Sequence, residues 1–242
     1  MTRVLAIESA TGAVGAALCE DGRVVAELTV HTARRHVELL HPAIDEVCSL
    51  AGIRLGDLGA VGVDVGPGLF TGIRVGVAAA KAIALALDLP AVGVTSLEAL
   101  EAAASATVPA GGVVVPVVDL RRGEVGWSVG GKVGWGRPER LVEQLSAALG
   151  GGEGPSPSVV LAGDGALRYR ELLEAPPGGA GAWRVAGSLV ATPPVACVAV
   201  LACAALSEGR EVDAARLAPC YLREADARIN WTTRHDRPQE GR

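Results

Sequence analysis

Aromatic side chains are scarce in this sequence. Only 3% of its 242 residues are aromatic, although half are hydrophobic. Alanine and valine therefore form most of the apolar surface, and side chains this small let packed elements approach closely. Lysine occurs only at Lys81 and Lys132, and the other basic residues are all arginine, which we interpret as a coding bias rather than a functional signal.

Cysteine and histidine are too few and too scattered to form a recognisable metal-binding pattern. The five cysteines contain no C-x-x-C pair, and an odd number cannot all form disulfides with one another. This pattern is more typical of reduced core residues than of disulfides or zinc ligands. They are Cys19, Cys48, Cys197, Cys203 and Cys220. His36 and His41 are five residues apart, a spacing that turns them about 140° from each other on a helix.

A basic field and a membrane-length apolar run are both missing. The net charge of −5 argues against a free-standing nucleic-acid binder. No apolar run reaches the roughly 20 residues that a membrane helix needs, and residues 195–206, which follow two prolines, resemble a buried helix. The N-terminal stretch contains Arg3 and Glu8 and does not resemble a signal peptide. We expect a cytoplasmic protein with no membrane contact.

Strand and helix patterns alternate in an order that occurs twice. Predicted strands are 4–7, 13–18, 24–30, 60–65, 91–94, 111–118, 124–129, a short strand after a Gly-Gly turn, 159–162 and 183–186; predicted helices are 37–50, 74–87, 96–106, 138–149, 166–173 and 194–208. Each half begins with three hairpin-linked strands. We therefore expect an α/β fold of two tandem ribonuclease-H-like subdomains, the actin-like ATPase (ASKHA) architecture, each a mixed sheet with flanking helices. The expected boundaries are 1–108 and 109–242, with the last helix or tail packing back on the first subdomain as an open alternative.

The segment GPGLFTGIRVG at 66–76 joins a buried strand to a helix. Its glycines let the backbone come close to a ligand or a neighbouring element, and a helix N-terminus favours anions. From these residues alone, a tight structural turn is favoured over an anion site by roughly two to one. The residues expected to form the loop are Gly66, Pro67, Gly68, Thr71 and Gly72.

A family resemblance runs through the first half and into the second. GPGLFTGIRVGVAAAKAIA at 66–84 resembles the pattern GPGSFTGLRIG…AKGLA of the TsaB (YeaZ) family, the partner of the threonylcarbamoyl transferase TsaD. Further segments resemble that family in the same order: AIESATGAVGAAL at 6–18, HVELLHPAIDEV at 36–47, PAVGVTSLEAL at 90–100, VVDLRRGEVGWSV at 117–129 and PCYLREADA at 219–227. Leu69 stands where the family usually has serine, and GPGL is what TsaD itself tends to show, so the chain resembles either the partner or its catalytic paralogue.

Metal ligands distinguish these two possibilities. The resemblance implies that TsaD carries His-x-x-x-His where this chain has Ser96 and Leu100. Serine is a poor ligand for a transition metal and leucine cannot ligate one. We therefore predict no metal site and no catalytic residue, and we favour the non-catalytic partner.

Nucleotide binding is a further alternative, because the wider fold binds ATP between its two halves. The resemblance places Glu8 and Asp119 at the ends of the first strands of the two halves, with Thr11 and Gly12 near phosphate. These four are candidate nucleotide or phosphate contacts. An equally weighted interpretation of Asp119 is a turn residue paired with Arg121 or Arg122.

Predicted helix 37–50 has a wide apolar face, and predicted helix 74–87 is apolar on nearly all sides, which is typical of a buried helix or of one shared with a partner. The TsaB resemblance implies that they form a helical bundle with TsaD, or a homodimer in its absence. The residues predicted at the interface are Leu39, Leu40, Ile44, Arg74, Val75, Ala78, Ala79 and Ala82.

The resemblance therefore implies a scaffold subunit for N6-threonylcarbamoyladenosine formation, at the adenosine next to the anticodon of tRNA. The expected partners are a TsaD-like transferase and a TsaE-like ATPase, with tRNA bound indirectly. No intrinsic cofactor is expected, and ATP or ADP at the interface with TsaD is left open. The alternative is a stand-alone actin-like-fold ATPase or kinase.

Overall fold

The fold was analysed in a computed structural model that describes residues 2–32, 34–149, 157–175 and 183–222. Outside the described residues lie most of the Gly- and Pro-rich stretch 150–158, from which we expect a loop, all of the similar stretch 176–181, and residues 223–227 of the closing motif. The first-half elements are β1 (Arg3–Glu8), β2 (Ala13–Glu20), β3 (Arg23–His31), α1 (His36–Leu50), β4 (Ala60–Asp64), α2 (Phe70–Leu87), β5 (Ala91–Val94) and α3 (Ser96–Ser105). The second-half elements are β6 (Val113–Arg121), β7 (Glu124–Val129), β8 (Lys132–Gly136), α4 (Pro138–Leu149), β9 (Val159–Ala162), α5 (Asp164–Arg168), α6 (Arg170–Leu173), β10 (Trp183–Val185) and α7 (Val195–Ser207).

The two halves contain five-stranded sheets of the same topology. The first sheet has the order β3-β2-β1-β4-β5 and the second has the equivalent order β8-β7-β6-β9-β10. In each sheet three antiparallel strands come first, and two strands parallel to the first strand follow it. This duplicated mixed sheet confirms the predicted ribonuclease-H-like fold class.

Alternating side chains of the first sheet contribute to two different cores. Leu5 and Ile7 of β1 pack in the cluster that contains the buried residues of α1 and α2. Val4 and Ala6 point to the opposite face and pack in the cluster of α7, as the two-residue period of a strand requires. Thus α7 packs against the first sheet although it follows the second in sequence, and α3 contacts both α7 and β6.

Local sequence signals determine several of the turns. Asp21 and Gly22 both have positive φ, at 46° and 83°, as expected for the Asp-Gly hairpin between β2 and β3. Gly52 has φ of 66° just after α1, the left-handed conformation that glycine commonly adopts after a helix C-terminus. The helix predicted at 166–173 is instead interrupted at Tyr169, which separates α5 from α6.

Candidate functional site

The loop at 66–76 packs backbone against backbone on the turn that follows β1. A side chain at Gly68 would collide with the carbonyl of Ala10, and one at Gly72 with the carbonyl of Ser9. The Leu69 amide donates to the Ala10 carbonyl over 2.6 Å, and the Ser9 hydroxyl donates to the Gly72 carbonyl over 2.8 Å. These glycines are therefore needed for close packing, which supports the interpretation as a structural turn over an anion site.

Ser96 fixes the other side of this loop. Its hydroxyl lies 2.7 and 2.9 Å from the two carboxyl oxygens of Asp64, and its amide donates to the Gly66 carbonyl over 2.9 Å. Ser96 follows Thr95, which caps helix α3 through a hydroxyl that accepts from the Glu98 amide. Ser96 is thus a structural link between α3 and the loop.

Ser96 and Leu100, which the sequence resemblance compares with the TsaD metal ligands, are both fully buried. Besides the contact of Ser96 with Asp64, Leu100 packs with Leu97 and Val118 where α3 meets the second sheet. Among the described residues, no group of three His, Cys, Asp or Glu side chains could hold a metal ion. The side chains at these positions form core contacts and offer no donor set for a metal.

The candidate phosphate contacts of the first half are engaged within the protein. The Glu8 carboxyl is fully buried and accepts hydrogen bonds from the amide and hydroxyl of Thr11, over 3.2 and 2.9 Å. The carbonyl of Thr11 lies 2.8 Å from His36 Nε2, and the carbonyl of Gly12 accepts from Thr32. The donors of Thr11 that a phosphate would need therefore already serve Glu8.

Asp119 lies in a cationic cluster of the second half. It is 3% exposed, and its Oδ2 lies 3.0 Å from Arg121 Nη1 and 2.9 Å from Arg168 Nη1. Its amide donates to Asp164 Oδ1 over 2.9 Å. The geometry favours the turn-residue interpretation with Arg121 as partner, and it adds Arg168, which is distant in sequence and was not predicted.

Helix α2 exposes an apolar stripe to solvent. Only seven of its 18 residues are buried, and one side of the helix presents Phe70, Arg74, Ala78, Ala82 and Leu85, which we call the α2 outer stripe. By length and composition this helix could cross a membrane. Its buried side packs in the same cluster as α1 and the first sheet, so we interpret it as a packed helix with one apolar face that no described residue covers.

The structure corrects part of the predicted interface. Leu40, Ile44 and Ala79 point into the core of the first half and are 1%, 2% and 8% exposed, so their side chains cannot form a partner surface. Leu39 and Val75 are half-buried against the same core. The remaining predicted residues, Arg74, Ala78 and Ala82, are exposed, and on α1 the exposed apolar residues are Val37 and Leu50.

An aromatic and cationic cluster at the start of α2 was missed by the sequence prediction. The Arg74 guanidinium lies 3.8 Å from the ring centroid of Phe70, and its Nε donates to the Tyr221 hydroxyl over 2.9 Å. The two rings are 5.1 Å apart, and each side chain remains about 40% exposed. Phe70 is the only phenylalanine of the chain. Its place in the segment 66–76 is a sequence signal that could have marked it as a candidate functional residue.

Comparisons with known proteins agree with the resemblance found in the sequence. The sequence model of the TsaD family, described as tRNA N6-adenosine threonylcarbamoyltransferase, matches residues 24–146. The TsaB protein of Escherichia coli strain K12, called a tRNA threonylcarbamoyladenosine biosynthesis protein, is 36% identical over 126 residues, which are 52% of this chain and 54% of that protein. A tRNA N6-adenosine threonylcarbamoyltransferase of Anaeromyxobacter dehalogenans strain 2CP-C is 42% identical over 126 residues, 45% of this chain and 38% of that protein.

A solved structure extends the similarity to both halves. YeaZ from Pseudomonas aeruginosa superposes with a TM-score of 0.72 at 26% identity, over 92% of this chain and all of that one. The chain spans about half the length, or less, of the curated relatives described above. The resemblance to TsaB is confirmed by these relatives.

Proposed function

Because the chain belongs to the TsaD family of tRNA N6-adenosine threonylcarbamoyltransferases, we propose that it is a non-catalytic subunit that binds a TsaD-like transferase. In this role it supports formation of N6-threonylcarbamoyladenosine at the adenosine next to the anticodon of tRNA. The printed names of its TsaB relatives support involvement in this modification. The binding role rests on the surface of the first half.

The α2 outer stripe is the single observation that carries this proposal. A helix with Ala78, Ala82 and Leu85 facing water leaves apolar surface that a partner can bury. The cluster of Phe70, Arg74 and Tyr221 at one end has the aromatic and arginine composition of interface hot spots. We propose that the equivalent helix pair of the transferase binds to the α2 outer stripe. A second copy of this chain would compete for the same surface.

Catalysis and the metal would belong to the transferase, because Ser96 and Leu100 serve as core contacts here. A TsaE-like ATPase would complete the assembly in the cytoplasm, with ATP or ADP at the interface between subunits. The alternative of a stand-alone ATPase or kinase gains no support from the geometry, since Thr11 is engaged with Glu8 and Asp119 with two arginines.

Co-purification with a TsaD-like transferase from the same organism tests the proposal. Replacing Ala78 and Ala82 together by glutamate places two charges on the α2 outer stripe without entering the core, so the complex should be lost while the fold is retained. The matched control replaces Ala147 and Ala148 by glutamate on the exposed side of α4 and should bind like the wild type. An unaffected complex in the first variant, or a wild-type chain that forms only homodimers in the presence of the transferase, would contradict the proposal.

A further inference from the structure

Two carboxyl groups meet in the interior of the first half. Glu8 ends β1 and Asp64 ends β4, and the two strands are parallel neighbours in which Ile7 pairs with Val63. Both side chains are fully buried. Buried carboxylates normally have cations or several donors around them, because the loss of hydration is otherwise expensive.

The hydrogen bonds to this pair leave one oxygen unaccounted for. Glu8 Oε1 accepts from the amide and hydroxyl of Thr11, and Asp64 accepts from the Gly66 amide over 2.7 Å and from the Ser96 hydroxyl. Glu8 Oε2 is buried without a donor among the described groups. The Asp64 carboxyl is at the end of the adjacent parallel strand, and its interaction with Glu8 raises the pKa of Glu8 in addition to the larger effect of burial. Two ionised carboxylates cannot hydrogen bond to each other, so a proton on one of them would complete the network.

We propose that Glu8 and Asp64 share one buried proton, which Glu8 Oε2 carries and donates in a hydrogen bond to Asp64. This proton stabilises the packing of the turns from which α1, α2 and α3 start. The geometry places the pair between all three turns. Asp64 binds the Gly66 amide and Ser96 at the start of α3. Glu8 binds Thr11, whose carbonyl faces His36 at the start of α1.

The link to α2 runs through the backbone next to Glu8. Ser9 donates to the Gly72 carbonyl, and the Ala10 carbonyl accepts from Leu69 at the entry of α2. Loss of the proton would leave two adjacent negative charges in a fully buried site. The expected response is separation of the β1 and β4 ends, which would pull Ser9 and Ala10 away from the loop.

Among the described residues, the titratable side chains that shift the pKa values of this pair are carboxyl groups. Burial and the charge of Asp64 hold the pKa of Glu8 well above its usual value, and burial also raises the pKa of Asp64. Glu98 on α3 adds a further negative charge close to Asp64. Burial and the charges of Asp64 and Glu98 raise the pKa of the nearby Cys220 thiol. The Nε2 atom of His36 lies at the Thr11 carbonyl.

The raised pKa of Glu8 determines the direction of the pH effect. The unfolded chain loses the Glu8 proton near pH 4.5, whereas the folded chain keeps it to higher pH. The contribution of this proton to stability is therefore largest in acid and falls as pH rises through the folded pKa. Glu8→Gln imitates the protonated side chain, because its amide can donate to Asp64 while its carbonyl accepts from Thr11.

Thermal unfolding midpoints of the full chain from pH 5 to pH 9 test the inference, together with the infrared carbonyl band of a protonated carboxylic acid at pH 7. The midpoint of Glu8→Gln should fall less steeply with pH than that of the wild type, so that the gap widens by several degrees. The band should be present in the wild type and weaker in the variant by one carboxylic acid. Glu143→Gln, on the exposed side of α4, should match the wild type in both measurements.

Two results would overturn the inference. One is a wild type and Glu8→Gln whose midpoints run parallel across the pH range; the other is an acid band that is unchanged in the variant. If Glu8→Gln does not fold, Asp64→Asn replaces it in both measurements, since its amide can donate to an ionised Glu8. Parallel midpoints and an unchanged band in that variant would count equally against the shared proton.

Discussion

In the first half the carboxyl groups of Glu8 and Asp64 lie at the ends of β1 and β4, and in the second half those of Asp119 and Asp164 lie near the ends of β6 and β9. The sheet order places the two pairs in equivalent positions. Arginines reach the second pair from the β6–β7 hairpin and from α5, whereas the first pair is surrounded by hydroxyl and amide donors.

The different surroundings of the two carboxyl pairs indicate that the halves of a duplicated fold can use equivalent positions differently. Arg121 and Arg168 are about half exposed, so the second pair remains connected to solvent through its cations. The first pair is closed off beneath the turns that start α1 and α2, the helices that carry the uncovered surface. The carboxyl pair of the second half thus has half-exposed cations beside it, whereas that of the first half is fully buried.

The largest effect is expected from Gly72→Ala, which tests whether the first half depends on close backbone contact. The new methyl group would meet the Ser9 carbonyl, and relief of such overpacking requires backbone shifts that cost about 3 kcal/mol or more. Urea unfolding measures the loss. Gly12→Ala has no atom within contact distance of the new group and serves as the control, so an equal loss in the two variants would refute the packing role.

The next effect is a pH dependence of the second half. Burial raises the pKa of Asp164 to about 6 from its usual 3.8, so the folded state holds a proton that the unfolded state has already lost. Stability should fall as pH rises from about 4 to about 6, by about 2 to 3 kcal/mol in total. Urea unfolding across this range should show a flatter curve for Asp164→Asn than for the wild type; curves of equal slope would contradict the shift.

Asp119→Asn and Asp64→Asn compare the two halves directly. Loss of the Asp119 charge leaves two arginines without their carboxylate, with an expected cost of about 1 to 2 kcal/mol because both arginines remain half exposed. In Asp64→Asn the new amide can donate to an ionised Glu8 while its carbonyl still accepts from the Gly66 amide, so this substitution should cost less. Unfolding at pH 8 measures both variants, and a greater loss for Asp64→Asn would reverse the proposed difference.

The smallest effect is expected at a charge pair outside these positions. Arg35 and Glu38 form a 2.8 Å ion pair with both side chains more than 60% exposed. Arg35→Ala should change stability by less than about 0.5 kcal/mol. A loss near 2 kcal/mol in thermal or urea unfolding would show that surface charge, rather than burial, determines the energetics of this half.

Much of the fold could be predicted because local pattern and turn chemistry agree. The bounds of β5, β7, β9 and α4 were predicted to the residue. The start of α2 was placed four residues late, because Phe70 to Ile73 resemble loop sequence until the contact of Gly72 with Ser9 is known. Long-range contacts of this kind leave no periodic signal.

The candidate site was harder to predict from the sequence than the fold. A helical stripe identifies an apolar face but does not say which apolar residues meet the sheet, so Leu40, Ile44 and Ala79 were assigned to the wrong side. The pairing of Glu8 with Asp64 joins residues 56 positions apart through strand order, and no local motif predicts it. The contact of Ser96 with Asp64 likewise joins a helix to a strand that is distant in sequence, and no local motif predicts it.

We propose that this chain supports a transferase without carrying out the transfer itself. Transfer of a threonylcarbamoyl group to tRNA should be measured with the chain alone, with a TsaD-like transferase alone, and with both. Each reaction contains a threonylcarbamoyl adenylate as donor and the TsaE-like ATPase. We predict activity only when both proteins are present, and its loss when Ala78 and Ala82 are replaced by glutamate. Activity of the chain alone, or full activity of the transferase without it, would contradict the proposed role.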